Sequence, residues 1–220
     1  MRKLALLVLL FPLGCGDPTP PPAYVRPNNR PLLRPDAPEL KTPAPATFKA
    51  RFTTTKGVFT IKVERNWAPL GADRFYHMVR GGLFDDSGFF RVLSGFMCQF
   101  GIPADPAESA LWKNATMQDD PVRENNARGR ISYATAGPGT RTTQVFINTG
   151  NNRKLDKTGF APFGQVIEGM EVVDKLYAGY GEGAPSGSGP NQKFIERWGT
   201  PHLKADFPKL DFIQKAEIVD

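Results

Sequence analysis

The sequence predicts a mostly β domain over residues 48–220, with eight short strands closed into an antiparallel barrel and two helices over its ends. Three observations lead there. Apolar and polar residues alternate in several short runs, the period of a half-buried strand. Gly- and Pro-containing turns separate the runs, and only two stretches carry a helical period. The 173 residues of this span are enough to bury one core. A sheet of this many short antiparallel strands removes its unpaired edges by closing on itself.

The elements follow in order. Phe48, Ala50 and Phe52 alternate with Lys49 and Arg51, Thr55-Lys56-Gly57-Val58 supplies a turn, and Phe59, Ile61 and Val63 alternate with Thr60, Lys62 and Glu64. Together they predict a β-hairpin. Pro69 opens a helix that places Phe75, Met78 and Val79 on one face and ends at Gly81-Gly82. His77 falls off that stripe and is expected at the surface. Five further β segments cover 89–93, 96–100, 130–134, 144–148 and 162–167. A second helix is expected over 170–177 and a closing strand over 212–219. Residues 100–130 carry Trp112, Asp119-Asp120 and Asn125-Asn126 and read as a surface excursion or a loop over a binding groove. The paired Asp119-Asp120 is expected to be solvated.

The first 47 residues differ from this domain. Arg2 and Lys3 precede an apolar run, Leu4 to Phe11, and Pro12-Leu13-Gly14-Cys15 closes it. This is the order of a secretory signal, and the run is too short to span a bilayer. A small residue directly before a cysteine predicts cleavage there and lipidation of Cys15, hence an envelope protein held to a membrane and facing the periplasm or the exterior. The alternative is an ordinary signal whose cysteine is incidental. Residues 16–47 read as a tether. Ten prolines lie between Pro18 and Thr47, and proline favours an extended, semi-rigid chain. With almost no aromatic residues, this stretch has nothing evident to bury.

Composition excludes several function classes. The formal charge of +6 shrinks once the leader and tether are set aside, leaving 22 Lys and Arg against 19 Asp and Glu in residues 48–220. No basic block or basic-aromatic stripe occurs, so no nucleic-acid partner is expected. Two cysteines and two histidines leave no metal site and no disulfide once Cys15 is acylated. No nucleophile elbow or Walker loop is present, and no cofactor is expected. The Gly-rich stretch 179–189 reads as a flexible loop.

The run Gly88-Phe89-Phe90-Arg91-Val92-Leu93-Ser94-Gly95-Phe96-Met97-Cys98-Gln99 resembles the signature of the cyclophilin family, an arginine followed by Gly-Phe-Met-x-Gln. Ile131-Ser132-Tyr133-Ala134-Thr135-Ala136-Gly137-Pro138 and Thr142-Thr143-Gln144-Val145-Phe146-Ile147 resemble the second half of the same groove. Leu155-Asp156, Phe163-Gly164 and Glu168 to Val173 continue the likeness in order, so it covers essentially all of residues 48–220.

This resemblance implies a peptidyl-prolyl cis-trans isomerase acting on proline-containing peptide segments; the leader makes the expected clients exported proteins, and a monomer is the default expectation. It makes Arg91 the catalytic residue and Phe96, Met97 and Phe146 the proline pocket, with Leu155 at its edge. Gln99 and Gln144 would bond the substrate backbone or orient Arg91, and the Ala134-Thr135 backbone would align the peptide. Taken singly, Phe96, Met97, Phe146 and Leu155 read as core residues. A proline-peptide binding module or holdase on the same fold is the alternative.

Four departures from the family pattern stand out. Phe90 replaces a histidine and is expected to give packing support. Phe100-Gly101 replaces Gly-Gly, which would narrow the neighbouring groove. Lys154 stands where many members have tryptophan, so cyclosporin would bind weakly. Phe160 aligns with a pocket histidine.

Overall fold

The structure, a computed structural model, describes residues 19–27 and 30–220. The leader and Cys15 lie outside the described residues. Eight strands form one antiparallel sheet: β1 (Thr47–Thr54), β2 (Gly57–Glu64), β3 (Arg91–Leu93), β4 (Met97–Phe100), β5 (Arg130–Tyr133), β6 (Val145–Asn148), β7 (Pro162–Glu168) and β8 (Ile213–Val219). Their order across the sheet is β3-β4-β6-β5-β7-β2-β1-β8. Every strand falls within two residues of its expected place.

Two expectations are corrected. The barrel is not closed by a ladder. Its edges β3 and β8 are not paired to each other, and the segments just before them meet only at an isolated bridge, Gly88 with Phe212. Phe89 N donates to Asp211 O at 3.0 Å and Ile213 N to Ser87 O at 2.9 Å. The result is a half-barrel with its two edges pinned at one end.

The helices number four among the described residues, not two: α1 (Pro69–Arg80), α2 (Pro106–Trp112), α3 (Met170–Asp174) and α4 (Gln192–Asp206). The expected helix over 170–177 shortens to α3. The start of α2 was legible, since Asp105 caps the amide of Ala107, Pro106 follows, and Glu108 sits in the first turn. Gly199-Thr200-Pro201 hid α4 by interrupting its period. The chain kinks there, with Gly199 at φ 65 and Pro201 unable to donate to the helix, and Thr200 N bonds Ala104 O at 3.0 Å instead. A Cβ on Gly199 would sit 2.0 Å from that same carbonyl.

The core lies between the sheet and α1. Phe52, Phe59, Phe75, Phe84, Phe89, Phe100 and Phe163 are fully buried, and their rings form a continuous set of contacts at 5–6 Å. Such offset and edge-on pairs add to the free energy of area burial. Phe100 belongs to this core and does not narrow the groove, contrary to expectation. It shares the face of Cys98, and both point inward.

Residues 30–47 are not a free tether. Leu33 and Ala44 are buried in the main core, and Trp112 donates its indole N–H to Leu33 O at 2.8 Å. Glu108, 1% exposed, accepts from Leu33 N at 2.7 Å and pairs with Arg30 at 2.9 Å. Further out, Arg26 pairs with Asp105 and Tyr24 bonds Asp86. His77, expected at the surface, is buried beneath this segment with Nε2 2.8 Å from Thr42 O. Leu33 and Ala44, with Leu40 partly buried beside them, supply what the segment buries in place of aromatics.

Candidate active site

Strand register builds the site. Arg91 of β3 faces Gln99 of β4, and Gln99 faces Phe146 of β6. Alternation then divides these strands: Val92, Cys98 and Ile147 enter the core, while Arg91, Met97, Gln99 and Phe146 share the opposite face. A one-residue slip would bury the arginine and expose the core set. The turn from Leu93 to Phe96, with Gly95 at φ 72, carries Phe96 over the end of that face.

The outer face forms one wall of a cavity of about 240 Å³. Arg91, Phe96, Met97, Gln99, Ala134, Thr135, Phe146, Leu155 and Phe160 line it together, which gathers nearly every site residue expected from sequence. Gln144 lies next door, in a cavity of about 210 Å³ that shares Gln99, Ala134 and Thr135. Phe96, Met97 and Phe146, which read singly as core, are absent from the main core and serve the cavity instead. Phe160 meets Phe146 edge-on at 5.6 Å, and Lys154 Nζ stands 5.8 Å from the Phe96 ring. Phe90 packs behind the site with Ile102, Ile195 and Leu203, the support expected of it.

Polar partners hold Arg91. Its Nη1 donates to Gln99 Oε1 at 3.1 Å, and Gln99 Nε2 donates to Gln144 Oε1 at 2.8 Å. On the other flank Nε and Nη2 donate to the two carboxylate oxygens of Glu182, at 2.5 and 2.7 Å. The hydrogen bond from Arg91 holds the Glu182 carboxyl below its ordinary range, against the opposing effect of burial.

Sequence reasoning missed several residues here. Glu182 sits in the Gly-rich stretch read as a flexible loop. That loop is braced by Gly189 N to Glu182 O at 2.8 Å and Ala184 N to Gly189 O at 3.0 Å. Gln192, at the start of α4, lines both cavities. Asn126, from the stretch left open as surface or loop, is fully buried. Its Nδ2 donates to Asp156 and to Phe160 O, each at 2.8 Å, and so braces the wall that carries Leu155 and Phe160.

The Asp119-Asp120 expectation is corrected for its second member. Asp120 is buried, accepts the Leu70 and Gly71 amides at the start of α1, and pairs with Arg141. Among the described residues no group of three or more His, Cys, Asp or Glu gathers as a metal would need.

Residues 49–195 match the family described as Cyclophilin type peptidyl-prolyl cis-trans isomerase/CLD. The chain belongs to the cyclophilin family. Among its relatives is the Peptidyl-prolyl cis-trans isomerase B of Escherichia coli K12, 32% identical over 137 residues, which cover 57% of this chain and 81% of the relative. Another is the Peptidyl-prolyl cis-trans isomerase-like 3 of Dictyostelium discoideum, 31% identical over 126 residues, 56% of this cyclophilin and 78% of the relative. The fold is similar to a crystal structure of a cyclophilin type peptidyl-prolyl cis-trans isomerase from Cryptosporidium parvum. The TM-score is 0.57 at 18% identity, over 79% of this chain and 98% of that one.

Proposed function

We propose that this chain accelerates cis-trans rotation about X-Pro bonds, with Arg91 as the catalytic donor and the Phe96-Met97-Phe146 cavity as the seat of the proline ring. The barrier to be lowered, about 20 kcal/mol, comes from the partial double bond of the amide. In the planar amide the prolyl nitrogen lone pair is delocalised and is a poor acceptor. As the bond twists, the lone pair localises and accepts a hydrogen bond. A donor aimed at that nitrogen therefore stabilises the twisted state more than either planar state, which is what lowers the barrier.

A guanidinium is always charged and keeps its donors in a rigid fork, so Arg91 fits that role without moving any proton. The carrying observation is the convergence of this one arginine with three apolar side chains in a cavity of about 240 Å³. The apolar floor holds the ring while the preceding carbonyl swings, and the Ala134-Thr135 edge lies alongside for the peptide backbone. A related fold has been crystallised in the presence of the dipeptide Ala-Pro, which supports a proline-containing peptide as the occupant.

We further propose that the clients are exported polypeptides and that the chain acts as a monomer, held at a membrane of the cell envelope through a lipidated Cys15. The signal-like order of residues 1–15 supports this placement. One observation favours a second reading. The Arg91-Glu182 ion pair offsets the guanidinium charge, as a binding module or holdase with little turnover would tolerate.

The deciding experiment is NMR exchange spectroscopy of a proline peptide with the wild-type chain and with Arg91→Ala. The expected result is fast exchange that falls about 100-fold in the variant while the peptide still binds. Binding by the wild type without accelerated exchange would leave only the module.

A further inference from the structure

Glu182 is the acidic group that meets Arg91, and it reaches the site from a loop 91 residues further along the chain. Its placement is built. The backbone carbonyl of Glu182 accepts from Gly189 N at 2.8 Å, and its Oε1 also accepts from Gly183 N at 3.0 Å. Gly187 N to Gly183 O at 3.1 Å and Gly181 N to Ala178 O at 3.0 Å tie down the rest of the turn. The carboxylate therefore stands on a hydrogen-bonded scaffold and takes Nε and Nη2 side-on.

Gln99 takes Nη1 from the opposite flank and is itself held by Gln144. An arginine side chain has five N–H donors. Two go to Glu182, one to Gln99 and one to Met97 Sδ at 3.9 Å, which fixes the plane of the guanidinium and leaves one Nη2 donor for a substrate.

We propose that Glu182 is a positioning residue for the isomerase reaction. It clamps the Arg91 guanidinium in the orientation from which the remaining Nη2 donor reaches the prolyl nitrogen. This rests on the isomerase reading above.

Two opposite effects follow from removing the carboxylate, and their sizes decide the sign. The freed guanidinium would carry an unopposed charge and draw harder on the nitrogen lone pair. But the side chains of the pair are 24% and 38% exposed, so water and salt already screen much of that charge. The lost orientation is not screened at all. A long side chain released on one flank samples many rotamers, and each one turned from the cavity is unproductive. Positioning dominates, so the rate falls.

The test uses the full chain as wild type, Glu182→Ala and Glu182→Gln. It reads kcat from peptide exchange at saturating enzyme, peptide affinity by titration, and the Arg91 Nε–H resonance by nitrogen-edited NMR. In Glu182→Ala, kcat should fall about tenfold with peptide affinity nearly unchanged, and the Nε–H resonance should shift and broaden. Glu182→Gln keeps one acceptor oxygen and should fall between the two.

A kcat in Glu182→Ala that is unchanged or raised overturns the proposal. So does a loss of kcat with the Nε–H resonance unmoved, or one matched by an equal loss of affinity. If the wild type itself fails to accelerate exchange, the isomerase reading has failed. The resonance then still decides whether the clamp exists, and an unmoved signal in Glu182→Ala rejects it.

Discussion

Cys98 and Gln99 are neighbours in β4 with opposite fates, because successive side chains of a strand point to opposite faces. Gln99 joins the site, while Cys98 is fully buried and surrounded by core. Burial pushes its thiol up to about 12, since the thiolate would lose its hydration with no cation to replace it. Cys98 should therefore resist iodoacetamide at pH 8 in the folded chain and react readily in urea, read by mass on the peptide that contains it. The linkage to stability follows the same sign. The unfolded chain releases this proton near its ordinary value of 9.0, the folded chain only near about 12. The contribution is intact below pH 9 and is lost as pH rises through that window. Rapid labelling without denaturant would place Cys98 outside the core.

At the level of elements, segment 30–47 and helix α2 stabilise each other. Alpha2 has seven residues, too few to persist alone. Leu33 covers its Trp112, and Arg30 and the Leu33 amide satisfy its buried Glu108. Leu33→Ala removes a buried side chain at the rim of the core and should lower unfolding stability by about 2 kcal/mol in a urea titration. An unchanged midpoint would mean the segment is undocked in solution. This element was illegible because proline content marks backbone stiffness and says nothing of which few apolar residues find a groove. The strands, by contrast, were legible almost residue by residue, since alternation and turn chemistry are local. Helix α4 was lost to Gly199 and Pro201, which break its period, and Ala104 lies against the kink they make.

For the whole molecule, the docked segment changes where the domain sits if Cys15 is lipidated. A free stretch of about thirty residues at ~3 Å each would reach ~90 Å. With Tyr24 already bonded to Asp86, only residues 16–23 remain as spacer, a reach of about 25 Å. The groove would then work close to the membrane surface. Cys15→Ser should move the chain from the membrane fraction to the soluble fraction while leaving peptide exchange unchanged, measured on the same preparations. Retention of the variant in membranes would show that another feature holds it there. Among the described residues no helix is long and apolar enough to cross a bilayer.

The sequence by itself determined the strands, helix α1, and the face of β3, β4 and β6 that gathers Arg91, Met97, Gln99 and Phe146. Those follow from periodicity, turn residues and two short motifs, 88–99 and 142–147, each close-knit along the chain. Tertiary structure alone decided which distant groups complete the picture. Glu182 reaches Arg91 across 91 residues, Glu108 reaches Leu33 across 75, Asp120 reaches the start of α1 across 50, and Asn126 braces Phe160 across 34. It also decided that the two sheet edges meet at a single bridge instead of a ladder. Each of these pairs a polar group with a partner chosen by proximity in space. Such a choice leaves no period along the chain, because its partner is set by how the sheet curls and where the loops land.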